Sequence, residues 1–180
     1  SILFDKTGTV TMGRMSVVDV VPVDGWDEAG LLKAAASAEK ASEHPLSAAV
    51  AERAKQAGIA PDEVRDFTAV AGQGVRALWQ EREVLVGNRR MMEAHGIAFG
   101  EALETKALSL QEQGCTVLFV AVDKAQAGFV AIEDRIKENS PQAIAAIREA
   151  GVTPMLVTGD NRLAARAAAG RVGIEEVRSE

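Results

Sequence analysis

Ile2-Leu3-Phe4-Asp5-Lys6-Thr7-Gly8-Thr9-Val10-Thr11 decides how the rest of the chain is read. Three apolar residues predict a short buried strand that ends on an aspartate. The loop after it holds glycine, small hydroxyl residues and one lysine. A carboxylate held there can act as a nucleophile toward a phosphoryl group and form an acyl phosphate. Loop N–H groups and hydroxyls can hold the transferred oxygens. Mg2+ is expected beside them, because carboxylate and phosphate repel one another. An ordinary aspartate in a solvated turn has the same spacing, so the stretch alone leaves both readings open.

The far end of the chain repeats this pattern. Pro154-Met155-Leu156-Val157 reads as a short apolar strand stopping at Thr158-Gly159-Asp160-Asn161, and an alanine-rich helix follows at about 163–169. Before it, Ser140 is read as the cap of a helix that Pro141 starts and Gly151 ends. Strand and helix in alternation predict a parallel α/β sheet. Ligands in such sheets sit beyond the carboxyl ends of the strands, so Asp5 and Asp160 are expected to meet in space.

The middle has another grammar. Helical spacing at 31–40 and 45–56 gives way to strands at 67–70, 75–79 and 84–86, with residues 80–83 joining the last two. Asn88 is a candidate cap for a helix at 89–94, another helix covers 101–113, and strands at 117–122 and 129–132 flank a hairpin connection at 123–126. The economical arrangement is an α/β fold. Residues 1–19 and 128–180 form a partial haloacid-dehalogenase-like parallel domain, and residues 20–127 form an inserted α+β domain with an antiparallel sheet and flanking helices.

Composition removes several classes of function. The 180 residues are 47% hydrophobic, enough for one core or two small ones, and a net charge of -6 with scattered Lys and Arg excludes a basic nucleic-acid face. The single cysteine, Cys115, has no internal partner and reads as a buried thiol. No apolar run approaches the roughly 20 residues that cross a bilayer, so direct membrane contact is not expected. A strand beginning at residue 2 without an initiating Met reads as a cut edge.

Asp5-Lys6-Thr7-Gly8-Thr9 with Thr11 resembles the phosphorylation signature of P-type ATPases, with Val10 where leucine is commoner. The resemblance implies that Asp5 is the phosphorylated aspartate, that Asp5 and Thr7 help hold Mg2+ and phosphate, and that Lys6 supports the loop. Ser42-Glu43-His44-Pro45-Leu46 alone reads as a capping histidine before a helix, but it is similar to the motif of the heavy-metal branch in which His44 packs against adenine and Glu43 bonds its edge. Gly72-Gln73-Gly74 is followed by a strand rather than a helix, so a dinucleotide fingerprint is rejected. The branch has a GxG lining its nucleotide cleft, and Gly72 and Gly74 match it. Asn88 matches an asparagine that faces the nucleotide. Asp134 with Lys137 resembles the acidic motif near the return to the first domain. Thr158, Gly159 and Asp160 match the TGD motif that supports phosphate, Mg2+ and nucleotide.

What the resemblance implies is an ATP-binding region on the cytoplasmic face of a metal-exporting pump. ATP is its substrate, and the actuator and transmembrane parts of the same pump are its partners. Glu43 tilts the ion toward copper. The later GDGxND motif of the family does not occur, so little turnover is expected from this chain alone. Two rivals remain: a soluble haloacid-dehalogenase-type phosphatase, which usually has a second acid where Thr7 stands, and a nucleotide-binding module without catalysis.

Overall fold

The computed structural model describes residues 1–159 and 162–179, so the role expected of Asp160 lies outside the described residues. Along the chain run β1 (Ile2–Asp5), β2 (Thr11–Pro22), α1 (Glu28–Glu39), α2 (Pro45–Gln56), β3 (Arg65–Val70), β4 (Gly74–Trp79) and β5 (Arg82–Gly87). Then come α3 (Arg89–Ala94), α4 (Glu101–Glu112), β6 (Thr116–Val122), β7 (Ala125–Ile136), α5 (Ser140–Glu149), β8 (Pro154–Thr158), α6 (Arg162–Val172) and β9 (Glu176–Ser179). The chain divides into two compact units. One is Ser1–Arg14, Ser109–Cys115 and Glu133–Glu180; the other is Met15–Leu108 and Thr116–Ile132.

The first unit carries a parallel sheet in the order β1-β8-β9. Asp5 pairs with Val157, which puts the ends of β1 and β8 side by side and Thr158 next to the Asp5 loop. The third strand, β9, was not read in the sequence. Its core is small: Val10, Ile144, Leu156, Ala169, Val172 and Ile174 are buried together. Ser140 does not cap α5 as expected. It is the first residue of the helix, and its hydroxyl donates instead to the Val10 carbonyl at 2.8 Å.

The second unit is a six-stranded sheet in the order β2-β7-β6-β5-β4-β3, antiparallel from β3 through β7. Period-two alternation sends Val75, Ala77 and Trp79 of β4 into one core with Val84, Val86, Val120 and Val122. Helices α1 and α2 join the same core through Leu31, Leu32, Ala35, Ala38 and Val50. Small residues on α1 let the helices pack closely: Ala34, Ala35, Ala36 and Ala38 are all buried. Leu85, Phe119 and Phe129 are also fully buried, with Met91 and Met92 of α3, and Phe99 stacks against Phe119 at 4.6 Å.

Two hairpin connections are tighter than expected. Trp79 pairs with Arg82 and Val122 with Ala125, which leaves Gln80-Glu81 and Asp123-Lys124 as two-residue turns. All four residues have positive φ, the type I′ geometry whose twist matches that of the strands. No glycine relieves the strain, but at the second turn Asp123 accepts from Arg82 Nε at 2.8 Å and from the Glu83 N–H at 3.0 Å.

Candidate functional site

In the second unit a cavity of about 370 Å³ opens where the start of α2, the β3–β4 turn and the start of β6 converge. That volume lies within the range of small-molecule sites. Its wall takes in His44, Gly72, Gly74 and Asn88, four of the residues singled out by sequence. His44 caps α2: its Nδ1 accepts from the Leu46 N–H at 3.2 Å, so Nε2 carries the ring proton while the imidazole stays exposed. Ser42 Oγ accepts from the His44 N–H at 3.3 Å.

The glycines divide the work. The Gln73 N–H donates to the Val70 carbonyl at 3.0 Å, and Gly72 sits at φ +67 in the turn this closes, with open space where a side chain would point. Gly74 lines the cavity and is also required by the strands themselves. A Cβ there would lie 2.2 Å from the Val86 carbonyl and 2.5 Å from Gly87 Cα. Gly74 therefore lets β4 and β5 meet, and Gly87 returns the close approach from the other strand.

Asn88 joins the turn to α3. Its Nδ2 donates to the Gly72 carbonyl at 2.7 Å, its backbone N–H donates to the Gln73 carbonyl at 2.8 Å, and its Oδ1 accepts from the Met91 N–H at 3.2 Å. The side chain expected to face a ligand thus holds the glycine turn and caps a helix as well as lining the cavity.

Glu43, expected to bond a ligand's edge, is exposed and lies instead on a neighbouring recess of about 250 Å³. The carboxylate on the main cavity is Glu39, which sequence reasoning missed. It is buried at the end of α1 and accepts from Ser47 Oγ at 2.5 Å. Burial raises its pKa above the ordinary carboxylate value, and hydrogen bonds from Ser47 and Ser42 offset this in part. A signal was available: Glu39 is an ionisable residue following the alanine-rich stretch at 34–38, close before His44.

In the first unit the loop after Asp5 is a closed five-residue turn. The Thr11 N–H reaches the Lys6 carbonyl, and Gly8 has φ +78. Asp5 and Thr7 are exposed, while Lys6 is 7% exposed. Thr11 Oγ1 accepts from the Gly8 N–H at 3.2 Å and lies 2.6 Å from Asp134 Oδ2. Lys137 Nζ donates to the Gly8 carbonyl at 2.7 Å. Asp134, of the acidic motif near the return to the first domain, is buried and serves this loop. Thr158 is buried at the end of β8, followed by exposed Gly159.

Asp5 and Thr7 offer one carboxylate and one hydroxyl, and no cluster of three or more His, Cys, Asp or Glu side chains that could hold a metal is found among the described residues. That donor set fits Mg2+, which takes one or two carboxylates and completes its shell with substrate phosphate and water.

A parallel sheet with an aspartate-bearing loop at the end of its first strand defines a class, and the haloacid dehalogenase-like hydrolase model matches residues 1–179. The chain belongs to that family. Over 177 residues it is 37% identical to the silver-exporting P-type ATPase of Salmonella typhimurium, covering 98% of this chain and 21% of that protein. Over 180 residues it is 38% identical to the copper-exporting P-type ATPase of Bacillus subtilis (strain 168), covering 100% of this chain and 22% of that protein. The chain thus spans about a fifth of the length of these relatives. A solved structure of a zinc-transporting PIB-type ATPase in the E2·Pi state superposes with a TM-score of 0.82 at 31% identity, covering 98% of this chain and 28% of the other.

Proposed function

We propose that this chain is the ATP-handling region of a heavy-metal-exporting P-type ATPase, with copper as the foremost ion, on the cytoplasmic face of the membrane. Residues 20–127 form the nucleotide-binding domain, and residues 1–19 and 128–180 contribute to the phosphorylation domain. The observation that carries this reading is the cavity: His44, Gly72, Gly74 and Asn88, spread over four segments of sequence, share one wall. The exposed ring of His44 offers a flat face for adenine. Glu39, in place of Glu43, supplies the carboxylate that accepts the 6-amino group.

In the intact pump an Asp5 carboxylate oxygen attacks the γ-phosphorus of ATP. The bond from that phosphorus to the bridging oxygen breaks, ADP leaves, and an acyl phosphate forms on Asp5. Asp5 and Thr7 would hold Mg2+ there, which would supply charge neutralisation. Residues 6–11 contain no carboxylic acid. The loop therefore has no group beside Asp5 to activate water, which favours a persistent acyl phosphate over phosphatase turnover. The support from relatives is that the silver, copper and zinc transporters named above match the chain end to end.

The test is calorimetric titration of the 180-residue chain with ATP. Glu39→Ala is expected to weaken binding by about tenfold or more, the weight of a hydrogen bond to a charged group. Asp5→Asn is expected to leave binding in place. Unchanged affinity in Glu39→Ala would remove the nucleobase from this cavity.

A further inference from the structure

Glu39 sits in a position that burial alone makes unfavourable for a charge. What holds it is local. Ser47 is in the first turn of α2, 4% exposed, and its hydroxyl donates to Glu39 Oε2 at 2.5 Å. The Ser42 hydroxyl lies 2.8 Å from that of Ser47 and also bonds the Glu39 carboxyl. Ser42 accepts from the His44 N–H as well. Two serines thus tie the carboxylate at the end of α1 to the loop that presents the histidine. All four residues line the cavity.

We propose that Ser47, backed by Ser42, is a positioning residue of the site: it keeps the Glu39 carboxylate ionised and turned into the cavity, so that the site selects a purine with a 6-amino donor over one with a 6-oxo acceptor. The inference rests on the nucleotide reading given above. A carboxylate accepts from the 6-amino group of adenine and repels the 6-oxygen of guanine. Its protonated form loses that discrimination.

The charged groups around Glu39 are few. Lys40, Glu43 and His44 share the adjoining recess, and the Lys40 ammonium is paired with Glu63. Residues 69–75, Asn88 and residues 116–118 contribute only uncharged side chains to the cavity wall. The N-terminus of α2 adds partial positive charge behind Ser47, which favours the carboxylate. A change at Ser47 therefore falls on Glu39 before it falls on any other titrating group.

The experiment has two arms on the 180-residue chain. In the first, without nucleotide, the Glu39 side-chain carboxyl is titrated by carbon NMR in wild type, Ser47→Ala and Ser47→Thr. Ser47→Ala is expected to move the Glu39 midpoint to higher pH, and Ser47→Thr, which keeps a hydroxyl, to return it toward wild type. In the second, ATP and GTP affinities are measured against pH. Ser47→Ala is expected to shift the acid limb of ATP binding upward, to weaken ATP by about tenfold near neutrality, and to narrow the ATP-over-GTP preference. Glu39→Gln is expected to abolish the limb. Equal weakening by Ser47→Ala at every pH, with the Glu39 midpoint unmoved, would make Ser47 a packing residue and overturn the proposal. Wild-type protein that shows the expected carboxyl titration yet binds no ATP would overturn it differently, by removing the nucleotide reading beneath it.

Discussion

Two glutamates near the cavity show how far a motif can be read. Ser42-Glu43-His44-Pro45 pointed to a loop on the cavity wall, because a histidine before a proline-started helix is a recognisable cap. It did not identify the carboxylate, since Glu43 faces outward and Glu39 belongs to the preceding helix. Burial gives Glu39 an unusual sign. Its folded pKa lies above the unfolded one, near 4.3 for an ordinary glutamate. The folded state therefore holds that proton more tightly. The contribution of Glu39 to stability is fully present below the unfolded value and is lost as pH rises through the folded one. Melting curves of wild type and Glu39→Gln from about pH 4 to neutrality should show wild type losing ground to the carboxamide as pH rises; a gap widening in its favour would contradict this.

At the scale of elements, most helices and strands were legible because their apolar periods are clear. What escaped has physical reasons. The last strand, β9, is Glu-Val-Arg-Ser, with too little apolar content to signal a strand without β8 beside it. The two-residue turns at Gln80-Glu81 and Asp123-Lys124 lack the glycine that advertises type I′ geometry. The glycines near the cavity predict a separation of roles. Gly87→Ala drives a Cβ to 2.4 Å from the Gln73 carbonyl and is expected to destabilise by about 2–3 kcal/mol in urea unfolding. Gly72→Ala meets open space and carries only the left-handed backbone strain, about 1–2 kcal/mol. Equal losses would mean the β4–β5 approach is slack. In the first unit, Thr11→Val removes the hydroxyl shared by the Gly8 N–H and Asp134 and should cost about 1–3 kcal/mol, whereas Thr11→Ser should cost less.

For the whole molecule, the expectation of an inserted middle rests on both ends carrying the same short strand followed by an acidic loop, while the middle changes to hairpin grammar; the compact units divide after Arg14 and Ile132 rather than after residues 19 and 127, and Ser109–Cys115 falls with the first unit. The two units differ in how much core they own. The second buries a continuous cluster over two helices and its sheet; the first buries six residues together, with partly buried neighbours around them. Backbone amides of β1 and β8 should therefore exchange with solvent faster than those of β5 and β6. Comparable protection would show that the smaller core is not the weaker one. The central claim, that the second unit takes the nucleotide, is tested most directly by titrating the chain with ATP and following backbone amide shifts by NMR. Shifts are expected to gather at Glu39, His44, Gly72, Asn88 and Leu118, around the cavity. If those amides stay still while only residues 5–11 respond, the cavity is not the nucleotide site and the phosphatase reading takes its place.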